Sequence, residues 1–407
     1  MNRLLPASFF VFLAVTVCAE SEPFILNVQD PDISEKKSER GVLPRELVRQ
    51  AILMAAREEL GLPTRDMALR EPVLENAKGR RFDVQVLMLA GQTLKISVSA
   101  DGVAGKEPQI LFKKEFKLAK NVCADYVEVA EIMVGLSHSE FPEMLRAGGY
   151  DGKPNAKTPT ALPRKDTNEL LQQMSGVSAF VVLRDAHAIQ RSLGESPATL
   201  SALARAYANL SLLSEHHWNL DHKTFKARSL LYAQKMVSEY GTPESLYVRA
   251  YALSLMGLHA AARADLEAAD KATDKTVAAR PIWRELIDLD SRCDQSGLDA
   301  LGRKGGPLSE QALLLSQLAV GSPYHYKKHE HAADALVKAS PHCFLGWDCY
   351  SSTIGERHQQ RSLLALENMA KIGPKLLAEI PELPASISSA LKRGLPMNKL
   401  SPPPLPH

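Results

Sequence analysis

Two spacings of hydrophobic residues alternate along the first third of the chain. After Leu43-Pro44, where proline suits a first helical turn, Leu47, Ala51, Met54, Ala55 and Glu58 recur at helical intervals until Gly61 and Pro63 stop the run. From Arg81 the period falls to two. Phe82, Val84, Val86 and Met88 alternate with Asp83 and Gln85, and Gly91-Gln92 makes a turn. Leu94, Ile96 and Val98 then alternate with Lys95, Ser97 and Ser99. A third run passes from Ile110 through Phe112 and Phe116 to Leu118, with Lys113, Glu115 and Lys117 facing out. Helical spacing returns at 124–134 and 139–146. Residues 43–148 therefore predict a small α+β domain, a three-stranded antiparallel meander covered by helices on one face.

The flanking segments read as connections. Residues 20–42 are polar, end in a charged run from Ser34 to Gly41, and predict a linker. Residues 149–165, with Gly149, Gly152, Pro154, Pro159 and Pro163 among polar residues, predict an interdomain linker. Beyond it strand signals are nearly absent. Asp166 with Glu169 reads as a capping pair, and Leu170, Met174, Val177, Phe180 and Val181 form one helical stripe. The run Phe180-Val181-Val182-Leu183 alone would suit a buried strand, but helical spacing continues to Ile189. Residues 381–407, with Pro402-Pro403-Pro404, predict a partly disordered tail.

Between Thr242 and Lys271 a more specific pattern emerges. Leu246, Ala250 and Leu253 place large, small and large residues on one helix. Gly257 offers a turn, and Ala262, Leu266 and Ala269 place small, large and small residues on a second helix. Small side chains let two antiparallel backbones approach, and the larger ones fill the remaining volume. This pattern resembles a tetratricopeptide repeat. Leu200, Ala204 and Tyr207 match the first helix of an earlier unit, and Ala227 with Leu231 match its second, across a long insertion from Ser214 to Lys226. Ala332, Leu336 and Ala339, followed by Pro341, match another second helix. Trp347, Tyr350, Leu363, Leu366 and Met369 suggest a last hairpin ending near Pro374. Equivalent second-helix positions at 227, 262, 332 and 362 are spaced by about one, two and one repeats of roughly 34 residues, with a degenerate unit at 277–302. The resemblance implies a mainly α architecture over 166–380, an α-solenoid of stacked hairpins. It also implies an elongated surface suited to a protein or peptide partner.

Composition narrows the remaining classes. At 45% hydrophobic and 24% charged the 407-residue chain is globular in type, and a net charge of +2 gives no global field toward nucleic acid or an acidic membrane. Arg3, the apolar run from Phe9 to Val17 and the step Val17-Cys18-Ala19 predict a secretory signal peptide over residues 1–19. That run is shorter than the roughly 20 residues of a span. Removal of the signal leaves no further candidate span, so export to the periplasm or beyond is expected. The four later cysteines, Cys123, Cys293, Cys343 and Cys349, permit two disulfides or buried free thiols.

Two histidine clusters carry the remaining chemistry. His216, His217 and His222 stand with Glu215 and Asp221 in the insertion. His325, His329 and His331 stand with Glu330 and Asp334. Neutral imidazoles bind zinc or copper, although adjacent His216 and His217 converge poorly, and Lys327 and Lys328 repel a cation. The alternatives are a structural loop pinned by Trp218 and a solvated helix start. His187 alone reads as a packing or capping residue. No Gly-x-Ser-x-Gly elbow, His-Glu-x-x-His motif, phosphate-cradling loop or haem-attachment motif is present. The sequence thus points to a non-catalytic, cofactor-free scaffold in the cell envelope. A metal-binding protein or metal-dependent enzyme is the alternative, and a structural envelope component the third reading.

Overall fold

The computed structural model describes residues 24–28, 42–62, 64–65, 81–89, 93–100, 109–119, 122–154, 156–158, 160–214, 221–276, 280–319, 326–341, 346–347, 350 and 363–371. The proposed signal peptide and the proline-rich tail lie outside them. The first elements are β1 (Phe24–Val28), α1 (Val42–Glu58), β2 (Thr64–Arg65), β3 (Arg81–Leu89), β4 (Thr93–Ala100), β5 (Gln109–Lys117), α2 (Val122–His138) and α3 (Glu140–Ala147). Strands β3, β4 and β5 form the antiparallel meander that the alternation predicts. Strand β1 corrects the linker reading of 20–42, because it pairs parallel with β3 on one side and β2 on the other, giving the order β2-β1-β3-β4-β5. Of its five residues, Phe24, Ile25 and Val28 are good strand formers, beside a longer charged run that masks them.

One face of the sheet is covered. Phe82, Val84, Leu94, Ile96, Val98, Ala100 and Phe112 are buried, with α1 packed on β3 and α3 on β5. Ile110, expected to join them, is exposed instead. A register irregularity at Val98/Ser99 pairs Val98 with Phe112 but Ser99 with Ile110, leaving Leu111 as the extra residue. Such a bulge turns the residues beyond it to the other face.

The helical part comprises α4 (Thr167–Gln172), α5 (Gly176–Ser192), α6 (Pro197–Ser214), α7 (Asp221–Tyr240), α8 (Pro243–Leu255), α9 (His259–Thr276), α10 (Arg284–Ser291), α11 (Gln295–Arg303), α12 (Ser309–Ala319) and α13 (Tyr326–Ala339), and residues 363–371 are also helical. The stripe from Leu170 to Val181 is split between α4 and α5, with Met174 between them at φ 44. Asp166 precedes α4 without capping it, since its carboxylate is taken by Arg164. Ser175 caps α5 through Ser178 N–H. Helix α6 runs to Ser214 and α7 starts at Asp221, so the insertion is shorter than the sequence suggests. The helices on either side absorb its ends.

Helices pair in chain order. From α5 to α13 each helix packs on the next, α5 on α6, α6 on α7, α8 on α9 and α11 on α12 among them. Between α8 and α9 the chain turns at Gly257, φ +80, where Leu258 N–H reaches Leu253 O and Gly257 N–H reaches Ser254 O. This doubled closure needs a residue in the left-handed region, which glycine enters without a Cβ penalty. Ala204, Tyr207, Ala227, Leu231, Ala250, Ala262, Leu266 and Ala269 are all buried. In α13 the register differs by one. Ala339 is exposed, whereas Ala333, Val337 and Ser340 are buried at the spacing of Ala262, Leu266 and Ala269. Leu336 is buried too, and the side chain of Ala332 lies outside the described residues. In 363–371, Ala365 and Met369 pack with Val337 and Trp347, while Leu363 and Leu366 face out.

The two parts share one core. A continuous buried cluster runs from Leu43 to Leu336, and α1 and α2 both pack on α7. Helices α1 and α7 lie parallel with fixed register: Glu46 accepts from Thr224 at 3.0 Å, Arg228 donates to Gln50 at 2.7 Å, and Lys235 donates to Glu58. Lys235 also holds Glu195 at 2.6 Å, and Gln190 donates to both carboxylates. Burial alone would push the lysine's pKa down, but Glu58, Glu195 and Glu239 overrule it and hold the ammonium well above its ordinary value. Glu195 is pushed up by burial and by Glu58. The segment read as an interdomain linker is pinned against this seam. Thr158 N–H bonds Glu195 O, Glu195 N–H bonds Ala156 O, and Lys157 pairs with Glu239 at 3.0 Å.

Replacing Lys235 by methionine leaves Glu58 and Glu195 buried without their cation. The expected loss is about 3–5 kcal/mol, read from urea unfolding monitored by circular dichroism. A Cβ on Gly152 would meet Leu60 O at 1.8 Å and Leu60 C at 2.7 Å. Gly152→Ala is therefore expected to lower stability by about 1–3 kcal/mol, whereas a free linker would give no change in the same unfolding measurement.

Candidate functional site

Helices α6, α8, α10 and α12, alternate members of the helical series, meet along one side of the helical part. Helix α6 packs on α8, α8 on α10, and α10 on α12. A line of polar side chains runs through this side. Tyr251 on α8 donates its hydroxyl to Asn209 Oδ1 on α6 at 2.6 Å and accepts from Gln311 Nε2 on α12. Asn209 Nδ2 in turn donates to Leu171 O in α4 at 2.8 Å. Burial pushes the Tyr251 phenol up, so it is a donor at any physiological pH.

At the centre lies Arg205. One turn before Asn209, it is the sole charged residue in the eighteen of α6. Its guanidinium carbon is 5.3 Å from the Tyr251 ring centroid and 5.1 Å from that of Trp283, the residue preceding α10. The two rings meet edge to face at 5.1 Å. Tyr247, one turn before Tyr251, adds a second edge contact to Trp283 at 6.5 Å. Arg205 Nη1 donates to Asn168 Oδ1 at 2.7 Å, and Nε has no hydrogen-bond partner. The residue is 5% exposed. Among the described residues it forms no ion pair, unlike Arg49 with Glu46 or Arg249 with Asp265. Burial pushes its pKa down, yet a guanidinium does not give up its proton in a protein. Sequence reasoning passed over this residue. A single charge in an otherwise small and apolar helix was the available signal.

A second polar group sits behind α6. His187 Nε2 is 2.8 Å from the Tyr207 hydroxyl, and its ring packs edge-on against Tyr207 and Tyr232, which stack on each other 5.9 Å apart. This is a packing role. Burial, together with the charges of Arg57, Arg228 and Arg191, holds the imidazole well below its ordinary pKa and therefore neutral.

The histidine clusters are not brought together by what is described. His216, His217 and His325 lie outside the described residues. His222 falls in the first turn of α7, and His329 and His331 fall in α13 with side chains that are not described. Among the described residues no group of three or more His, Cys, Asp and Glu side chains is arranged to hold a metal. Cys293 is a free and exposed thiol, not a buried one, 3.1 Å from His259 Nδ1. The side chain of Cys123 and residues Cys343 and Cys349 are outside the description. No helix among the described residues is long and apolar enough to cross a membrane. Comparison with family models, with curated proteins and with solved structures finds no match to this chain.

His187 gives the fold a pH dependence whose sign is fixed. The unfolded histidine takes a proton near pH 6.5, while the folded one stays neutral to lower pH. The unfolded state therefore binds more protons in that window, and stability falls as pH drops below 6.5. The expected slope reaches about 1.4 kcal/mol per pH unit. His187→Asn should flatten it in urea unfolding measured between pH 7 and pH 5.

Proposed function

We propose that this chain is an exported, non-catalytic scaffold of tetratricopeptide type that holds a protein or peptide partner along the side built by α6, α8, α10 and α12. One observation carries the reading: alternate helices of the series, α6, α8, α10 and α12, contact one another in turn, as the first helices of stacked hairpins would. Hairpins stacked in this way form an extended surface rather than a closed core. The opposite choice of surface is disfavoured by the seam, since α7 is already covered by α1 and α2. Ile282, 59% exposed, precedes Trp283, whose ring meets Tyr247 and Tyr251 of α8, so a probe there reports on this region. Export rests on the N-terminal sequence pattern of residues 1–19.

The test uses the full chain with a photo-crosslinking amino acid at Glu244 or Ile282, and at Lys113 on β5 as the control. A discrete crosslinked species at both helical positions and none at the strand is the expected result. The same species at all three, or none at any, would remove the docking side from consideration.

A further inference from the structure

We propose that Cys293, with His259 as the base that takes its proton, is a modification site that forms a mixed disulfide with a low-molecular-weight disulfide. The proposal does not depend on the docking side above.

Cys293 stands in the turn between α10 and α11, and its side chain is exposed. Its backbone closes the end of α10 as Gly257 closes that of α8. Cys293 N–H reaches Asp290 O at 2.8 Å, and Asp294 N–H reaches Leu289 O at 2.9 Å. That closure needs the left-handed region, which Cys293 enters at φ 55. A Cβ makes this conformation costly, and glycine is the usual residue there. The fold alone would favour glycine at 293, and the thiol is present in spite of it.

The sulfur also has a base in contact. Sγ is 3.1 Å from Nδ1 of His259, the first residue of α9. Leu258 before it has no side-chain oxygen, so no cap of that kind screens the partly positive end of α9 beside the thiol. The elements around the pair are tied together. Arg263, one turn along α9, donates to Ser291 O at 3.2 Å, and Ser254 of α8 donates to Asp290 Oδ2 at 2.6 Å. Burial raises the pKa of Asp290 while Ser254 and His259 draw it down, so carboxyl and imidazole act on each other. The remaining charges of the turn are engaged, Arg292 with Asp288 at 3.0 Å and Asp294 with Gly297 N–H at 2.9 Å. An accessible thiol touching an imidazole, which is itself coupled to a carboxyl, is what a nucleophilic cysteine requires.

The step balances without a further reagent. His259 Nδ1 takes the Sγ proton, and the thiolate attacks one sulfur of the external disulfide. A new S–S bond forms at Cys293 as the old one breaks. The departing thiolate recovers the proton from the imidazolium and leaves as a thiol. Cys293 is oxidised and the departing sulfur reduced. The export proposed above would carry the site into an oxidising compartment, where disulfides persist.

The test treats the full chain with oxidised glutathione and follows occupancy of Cys293 by peptide mass spectrometry. A synthetic peptide of residues 288–303 gives the reference rate. At neutral pH the chain should react at Cys293 about ten-fold faster than the peptide. His259→Asn should slow the chain about ten-fold at neutral pH but little at about pH 9.5, where an ordinary thiol ionises unaided. Cys293→Gly should melt at or above the wild-type temperature, since glycine suits the turn. Equal rates in chain and peptide at neutral pH would overturn the proposal. So would the same slowing by His259→Asn at both pH values, which would make the histidine a matter of access alone. A clear fall in the melting temperature of Cys293→Gly would assign the sulfur–imidazole contact to the fold and overturn it as well.

Discussion

The ammonium group of Lys235 fixes the register in which the molecule's two halves share one core. It lies buried on α7 against Glu58 of α1 and Glu195 from the segment before α6, with Gln190 of α5 bridging the two carboxylates. Four pieces of chain meet at that point. Buried ion pairs add little to net stability compared with apolar packing, because desolvation consumes most of the attraction. What they do supply is a requirement for register. Apolar helices can slide past one another at modest cost, whereas a lysine displaced by one turn from its two carboxylates leaves three bare charges. The matched rungs Glu46–Thr224 and Gln50–Arg228 repeat the same constraint further up the interface.

The asymmetry of the helical part follows from that seam. With α1 and α2 laid along α7, that helix is buried over most of its length, including Lys226, Arg228, Ser229 and Lys235. The sheet and its helices thus occupy one side of the hairpins. The contacts among α6, α8, α10 and α12 lie elsewhere, and there the polar line through Asn209, Tyr251 and Gln311 and the caged guanidinium are found. Order in this region comes from hydrogen bonds made by side chains of three different helices, so the geometry around Arg205 is fixed by the fold itself.

How far the sequence revealed this depended on the range of each interaction. The period-two runs of β3 and β4 were legible because neighbouring residues alone decide them. Strand β1 was not, since five residues give too little alternation to stand out beside a charged segment. Glu58 was visible in the helical stripe of α1, but its meaning was hidden: the lysine that explains it is 177 residues away. The small-large-small rule placed the α8–α9 hairpin because Gly257 fixes the turn between them, although α9 carries alanine at 260, 261, 262, 264, 268, 269 and 272. In α13, with alanine at 332, 333, 335 and 339, the same rule has several solutions, and burial chose the one shifted by a residue. The residues numbered 149–165 were misjudged for a different reason. Glycine and proline there read as freedom, whereas Gly152 is glycine because the chain passes directly over Leu60 O.

The parallel pairing of α1 with α7 also dictates an order of events in time. The rungs join residues separated by 177 or 178 positions, so α1 meets α7 only after more than half of the 407 residues exist. Until then the edge of α1 that meets α7 stays uncovered, although α2, α3 and β3 can already cover its other faces, and an uncovered edge is prone to association with other chains. Contacts of such long sequence separation also slow the search for the native arrangement. A nascent or unfolded chain of this kind therefore closes late, with the seam between α1 and α7 as one of the last contacts to form.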